Sequence, residues 1–381
     1  MFNFDRENTS LIAKWWRNVD KEILISFVFL FLLGLFFSFS STSSVVAEKM
    51  NKQTYFFFQK HLFFVCISLF LLLAISIQDK KKLVKFLPYL FFISLLLLSL
   101  VPIFGFEVNG SKRWMDLPFL PRFQPVELLK PMFIIFVAKI IILNEKTNIY
   151  KRYLYSFLAL FVVILLLINQ PDLGQTLLLI STWITMIFVS GFNMVILTIL
   201  ILLFLIIFGF LIFLFPEKFG YAFLRIKTFI DPRSGDDFQS QKALDAIKQG
   251  GLTGQGMGEG ILKEKVPEAH TDYIIAVISE EFGALFVLFI LILFLFIGYK
   301  VLNKIFLEKD EFIKLALSGL VTLLIIQTFI HIGVNIRLLP TTGITLPFVS
   351  YGGSSLIGSA LIAGIILNFT RRDSGRDLQN E

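Results

Sequence analysis

Apolar residues in this chain stand in unbroken blocks of membrane length rather than recurring at helical or strand spacing. A helix needs roughly 20 residues, at about 1.5 Å each, to cross ~30 Å of hydrocarbon. Charges, prolines and glycines divide the blocks into about ten such segments, predicted at 23–45, 57–77, 86–105, 128–144, 153–170, 173–190, 194–215, 273–298, 314–334 and 354–370. The pattern predicts an all-α polytopic membrane protein, a single membrane domain over 1–381. In the leader, 1–22, Leu11, Ile12, Trp15 and Trp16 alternate with Lys14 and Arg17, as in an amphipathic helix lying at headgroup level. A long polar segment, 216–272, separates the seventh and eighth helices, and a polar tail, 371–381, follows the last.

Composition rules out a water-soluble enzyme: of 381 residues 56% are hydrophobic and 17% charged, where soluble proteins carry about 25% charge. The net charge of +7 does not point to nucleic acid, because the cations gather between apolar blocks. Basic clusters at Arg6 to Lys21, Lys80 to Lys85, Lys139 to Arg152, Lys300 to Lys314 and Arg371 to Arg376 place both termini in the cytoplasm. Four polar segments then face outward: 106–127, 171–172, 216–272 and 335–353. They hold most of the Gly, Pro, Asn, Gln and acidic residues, so function is expected on that side. The single cysteine, Cys66, allows no intrachain disulfide and is expected to fill space in an apolar block.

Four polar constellations carry candidate chemistry. In the first, Asn109-Gly110 makes a turn, Arg113 and Trp114 follow, and Gln124-Pro125 opens a helix on which Glu127 and Lys130 are three apart and able to pair. Such a pair could snorkel at the interface or face a cavity. The second is Asn169 to Thr176, where Asp172 caps the next helix near Gln175 or lines a cavity. The third is 216–272, with Arg225, an amphipathic helix over 239–249, and a glycine run, Gly250 to Gly260, that lacks any phosphate-loop spacing and implies flexibility or close backbone approach. It ends at Asp272, by default an N-cap, ahead of Glu280 and Glu281 inside the next span. In the fourth, Gln327, His331 and Asn335 form one polar ridge, and the Pro/Gly/Ser/Thr stretch through Ser354 implies irregular backbone at membrane depth. These residues describe an outward cavity suited to an anionic, partly lipidic substrate. They do not separate an enzyme from a transporter.

Arg-Trp-x-Asp at 113, Gln-Pro-x-Glu-x-x-Lys at 124, Gln-Pro-Asp-x-Gly-Gln at 170, Pro-Glu-Ala-His-Thr-Asp at 267, Glu-Glu-x-Gly at 280, Pro-Thr-Thr-Gly at 340 and Ser-Tyr-Gly-Gly-Ser-Ser at 350 follow one another as in a known family. The chain resembles the SEDS peptidoglycan polymerases, the FtsW and RodA proteins, over almost its whole length. Trp15-Trp16, Pro267 to Asp272 and Leu339 to Gly343 resemble the division branch, FtsW, more than RodA. The resemblance implies polymerisation of lipid II into septal glycan outside the bacterial inner membrane. Asp272 would be the general base, and Arg113, Lys130 and Arg225 would hold diphosphate while Glu127 orients Lys130. Gln124, Asp172 and Ser354 would complete the substrate site. No metal is required, though a divalent cation, Mg or Mn, could assist the leaving group. A class B penicillin-binding protein and other division proteins are the implied partners, with the glycine run as a hinge ordered by that contact. Family members usually carry Ser at Val126, Asn at His331 and Gly at Arg337. A lipid II flippase and a non-catalytic division scaffold are the alternatives.

Overall fold

The structure, a computed structural model, describes residues 10–41, 56–108, 111–116, 121–142, 148–214, 216–231 and 237–372. A helix forms at each predicted stretch. In chain order the helices are α1 Leu11–Asn18, α2 Lys21–Ser41, α3 Phe56–Ile77, α4 Lys80–Phe104, α5 Pro125–Ile142, α6 Ile149–Asn169, α7 Leu173–Val189, α8 Met194–Leu214, α9 Pro216–Ile230, α10 Phe238–Gly250, α11 Ile274–Leu307, α12 Glu311–Asn335 and α13 Gly353–Thr370. Among the described residues α2, α3, α4, α6, α11, α12 and α13 are long and apolar enough to cross a membrane, and α7 is a shorter apolar helix. The chain is a multi-pass membrane protein.

Two boundaries show how local chemistry sets the ends. α4 starts at Lys80 rather than within the apolar run, because the Asp79 carboxylate accepts the Lys81 N–H at 2.7 Å. α5 starts at Pro125, where a missing N–H is harmless.

The wholly helical reading needs one correction. β1 (Gly105–Val108) and β2 (Ser111–Met115) pair antiparallel with Val108 opposite Ser111. Two residues, Asn109 and Gly110, join the strands, the commonest two-residue hairpin dipeptide. That turn itself lies outside the described residues. An apolar-block criterion passes over strands of four or five residues, which have room for only two or three side chains per face.

Small residues let the central helices approach. A Cβ on Gly358 of α13 would sit 2.7 Å from the Glu127 carbonyl of α5, and one on Gly364 would sit 3.0 Å from the Leu72 carbonyl of α3. Cys66 is exposed on α3, so it does not fill the interior as expected.

α11 is broken at Gly283, whose φ of +81° leaves the helical region. The glycine run mends the break. Ala284 and Leu285 N–H groups donate to the carbonyls of Gly251 and Leu252 at 2.9 and 3.2 Å, while Gln255 and Gly256 donate to the carbonyls of Glu280 and Glu281 at 2.9 and 3.0 Å. A Cβ on Gly250 would lie 1.9 Å from the Ser279 oxygen, so only bare backbone fits. The run expected as a hinge is thus bonded to a helix in the chain alone; close approach explains Gly250 and Gly254, and positive φ explains Gly251, Gly256 and Gly258.

Glu280 and Glu281, both buried, finish this clamp. Glu280 accepts the N–H groups of Leu262 and Lys263, each at 2.7 Å. Glu281 pairs with the Lys263 ammonium and accepts from the Gly258 N–H and from the Ser40 hydroxyl of α2. These acids hold the loop to the first half of α11, the half that begins next to Asp272.

Candidate active site

The ends of α4, α6 and α12 and the starts of α5, α7, α11 and α13 meet at one end of the bundle, and Asp272 stands among them. Its side chain caps nothing: Tyr273 is the N-cap of α11, without a side-chain cap bond. Asn335 of α12 instead holds the Asp272 backbone, donating to its carbonyl at 3.0 Å. Among the described residues the Asp272 carboxylate has no hydrogen-bond or ion-pair partner. A Cβ on Gly343 would lie 3.6 Å from Asp272 Oδ2 and 3.8 Å from Arg113 Nη1, so carboxylate and guanidinium border one small space that glycine keeps open.

Burial raises the Asp272 pKa to about 7. Glu268 adds to the rise, Arg225 and Arg113 oppose it, and Asp172 adds a smaller increment. A carboxylate poised near neutrality is what proton abstraction needs.

The hairpin delivers Arg113. β2 follows directly from β1 at the end of α4, and a bridge between Met115 and Phe123 returns the chain to α5. From there the guanidinium donates to the carbonyls of Gln170 and Pro171 in the α6–α7 turn, with Nε 3.1 Å from Gln170 O, and lies 4.0 Å from Asp172. Asp172 caps α7, accepting the Gln175 N–H at 3.4 Å as the sequence predicts, and accepts from Gln124 Nε2 at 3.1 Å. Burial holds its pKa above the ordinary carboxylate range, against the pull of Arg113. Arg225 of α9 donates to the Thr341 carbonyl at 2.7 Å, beside the same loop.

Glu127 and Lys130 do pair, at 2.8 Å, but neither snorkels: side-chain exposures are 5% and 1%. Gln175 donates to Glu127 at 2.8 Å, and Lys130 donates to Gln327 at 3.1 Å. Gln327 in turn donates to the Thr345 carbonyl at 2.9 Å. The pair therefore joins α5, α7, α12 and the 339–352 loop, one layer deeper than Asp272 and Arg113. Ser354, on the α13 face that carries Gly358 against Glu127, is buried with an unpartnered hydroxyl; Gln175 Oε1 and Thr342 Oγ1 are likewise buried and unpartnered among the described residues. Such atoms mark places for water or ligand.

The polar ridge of α12 organises the irregular loop. His331 Nδ1 lies 2.8 Å from the Ile344 carbonyl. Ser350 donates to the Thr271 carbonyl at 2.7 Å, and the Tyr351 N–H to the His270 carbonyl at 2.9 Å. The His270 ring packs 4.8 Å from Phe57 and 5.7 Å from Tyr351, and burial lowers its pKa. Spacing alone had no means of singling out Gly343 or Lys263, whose roles exist only across long stretches of chain. Among the described residues no three carboxylate, imidazole or thiol side chains converge on a metal position.

The departure at 337 has a structural counterpart. Leu338 N–H donates to Gly333 O and Arg337 N–H to Val334 O, a C-terminal motif that favours glycine at 337. Arg337 adopts it at φ +60° and pairs with Asp237 at the start of α10. Arg337→Ala keeps the strained backbone and loses the pair, so it is expected to lower stability by ~1–2 kcal/mol in thermal unfolding. Arg337→Gly, relieved of strain, is expected to stay within about 1 kcal/mol of the parent.

Known proteins are similar to this chain over nearly its whole length. The profile of the cell cycle protein family of FtsW, RodA and SpoVE matches residues 21–375. The probable peptidoglycan glycosyltransferase FtsW of Caulobacter vibrioides is 31% identical over 373 residues, 98% of this chain and 94% of that one. Its namesake in Francisella salina is 36% identical over 360 residues, 91% of this chain and 88% of the relative. Among solved structures, a chain of a peptidoglycan synthase complex that coordinates polymerization and crosslinking superposes with a TM-score of 0.75 at 24% identity, covering 95% of this chain and 99% of that one. The rod shape determining protein RodA of Thermus thermophilus gives 0.67 at 24% identity over 93% and 97%. Fold and site define a multi-pass membrane protein with a carboxylate and a guanidinium flanking one glycine at one end of its helix bundle. The chain belongs to the FtsW/RodA/SpoVE family of cell cycle proteins, the family its motifs resemble, and the Caulobacter and Francisella relatives bear the name FtsW.

Proposed function

We propose that this chain is a peptidoglycan glycosyltransferase that polymerises lipid II into glycan strands during septal wall synthesis. It would work on the outer face of the inner membrane, with ten spans and both termini in the cytoplasm. The observation that carries this reading is the Asp272 carboxylate, without a partner among the described residues, bordering one space with the Arg113 guanidinium. Asp272 removes the proton from the acceptor sugar hydroxyl. The hydroxyl oxygen bonds to the donor anomeric carbon from the face opposite the diphosphate, the bond from that carbon to the diphosphate oxygen breaks with inversion, and the electron pair leaves with the diphosphate. Arg113 and Arg225 balance the charge that develops there. Gln124 and Asp172 hold Arg113 in place, and the Glu127–Lys130 pair fixes Gln175 and Gln327 beneath them, near the free hydroxyl of Ser354. A class B penicillin-binding protein is the proposed partner, pressing on the 216–272 loop.

The test is gel analysis of glycan formed from lipid II by the purified chain with its transpeptidase partner, across pH. Asp272 acts only when ionised, and its pKa is raised to about 7, first by burial and then by Glu268. The rate is therefore expected to rise about tenfold per unit below that pH and to level off above it. Glu268→Gln, which removes a charge that raises the Asp272 pKa, is expected to move the midpoint lower. A rate indifferent to pH between about 6 and 8 would count against Asp272 as the base.

One observation favours a second reading, lipid II flipping: the break in α11 resembles the half-helices of transporters. Transporters of that kind carry such breaks in paired repeats, and α11 has no matching partner among the described helices. Lipid II translocation in vesicles that survives Asp272→Asn unchanged, with no glycan made by the parent, would favour it.

A further inference from the structure

At the end of the bundle remote from Asp272, cations crown an exposed apolar stripe. On α4, Lys82, Lys85, Phe86 and Tyr89 follow at spacings of three, one and three, so they share a face. All four are exposed, and the stripe continues through Phe92. Lys139 of α5 joins from the neighbouring helix, its Nζ 5.3 Å from the centre of the Tyr89 ring, and Lys85 Nζ stands 5.9 Å from Phe86. The seam is closed below by Phe136 of α5, stacked on Phe91 at 4.4 Å.

Described acids at this end are engaged elsewhere. Asp20 pairs with Lys304 at 3.1 Å and Glu22 with Lys300, both lysines on α11, and Asp79 caps α4. Among the described residues no carboxylate pairs with Lys82, Lys85 or Lys139. Lys80, Lys81 and Lys82 also occupy the first turn of α4, where the helix dipole disfavours cations. An external anion would relieve both costs.

The level of these lysines is that of a headgroup. α1 lies at the same end, tied to α3 by the Trp15 indole donating to Ser76 at 2.8 Å. Trp15 is thus turned inward, while Leu11, Ile12 and Trp16 remain exposed beside Lys14, as on a helix at a lipid surface. Lys21 stands 5.1 Å over the Trp16 ring, and a tyrosine with cations at the end of an apolar stripe is the usual pattern at a membrane boundary.

We propose that the α4–α5 seam binds an anionic phospholipid, its phosphate held by Lys82, Lys85 and Lys139 and one acyl chain lying along Phe86, Tyr89 and Phe92. Lysine ammonium groups suit phosphate as mobile point charges, and the apolar stripe distinguishes a lipid from a free anion. The site stands apart from the proposed chemistry and does not depend on it.

The test uses the full chain in detergent micelles, with bound lipid counted by native mass spectrometry and thermal unfolding followed in parallel. Phosphatidylglycerol is expected to be retained and to raise the unfolding temperature, phosphatidylcholine of the same chains to do neither, and inorganic phosphate alone to have no effect. Lys82→Gln, Lys85→Gln and Lys139→Gln together are expected to weaken phosphatidylglycerol retention on the order of 100-fold, while arginine at the same three positions preserves it. Equal retention of the two lipids overturns the proposal. So does retention unchanged in the glutamine variant, retention lost in the arginine variant, or inorganic phosphate matching the lipid.

Discussion

Asp272→Asn is expected to reduce glycan synthesis from lipid II by about 10²–10⁴-fold, with expression and partner binding unchanged. The substitution keeps the size of the side chain and removes the group that can accept a proton. It costs no helix cap, since the carboxylate caps nothing in α11. Nor does it disturb the bond that seats residue 272, which runs from Asn335 to the backbone carbonyl. The same variant is expected to be more stable than the parent above neutral pH. A carboxylate whose pKa is raised in the folded chain, here to about 7, contributes stability that is full below its unfolded value and lost as pH rises through the folded one. Asparagine has no charge to desolvate and escapes that loss. Gel analysis of glycan together with unfolding at about pH 8 checks both halves. Full activity in the variant, or a lower unfolding temperature at that pH, would leave Asp272 without its assigned part.

Lys263→Met is expected to destabilise the chain by about 3–5 kcal/mol, a large share of a typical stability of ~5–15 kcal/mol. The Lys263 and Glu281 side chains are 6% and 0% exposed, so removing the ammonium strands a buried carboxylate. Gly258 N–H and the Ser40 hydroxyl remain as its donors but carry no compensating charge. The glycine run would then lose its hold on the broken helix, so residues 250–265 should become sensitive to protease and glycan synthesis should fall with them. Removing both charges in Lys263→Met/Glu281→Met is expected to recover much of the loss, because the penalty lies in the unpaired charge rather than in the missing bond. A single variant within about 1 kcal/mol of the parent would refute the clamp.

Much of the site was legible before folding because it rests on neighbours. The Glu127–Lys130 pair and the Asp172 cap of α7 are three-residue relations on one helix, and both form. The amphipathic segment predicted at 239–249 is α10. Asp272 misled as a cap because N-cap statistics know nothing of Asn335, which seats its backbone from 63 residues away. Glu280 and Glu281 read only as acids buried within the span, whereas Glu280 accepts from loop amides 17 and 18 residues back and Glu281 is held by Gly258, Lys263 and, at a separation of 241, Ser40. Lys130 carried a diphosphate-binding role, yet Gln327, 197 residues on, holds it in a buried layer below Arg113.

The sequence alone determined that this is a multi-pass helical membrane protein, where its apolar helices lie, and which polar motifs gather at one end, but not the helix α9 that carries Arg225 within the segment read as a polar loop. Those properties follow from hydrocarbon thickness, charge and spacing within single segments. The tertiary structure decided the rest: the hairpin that brings Arg113 to Asp272, the break in α11 that glycine backbone mends, and the lysine that neutralises Glu281. Each depends on which helices pack side by side, and burial at those contacts, unlike spacing along the chain, sets both the proton affinity of Asp272 and the partners a buried charge must find.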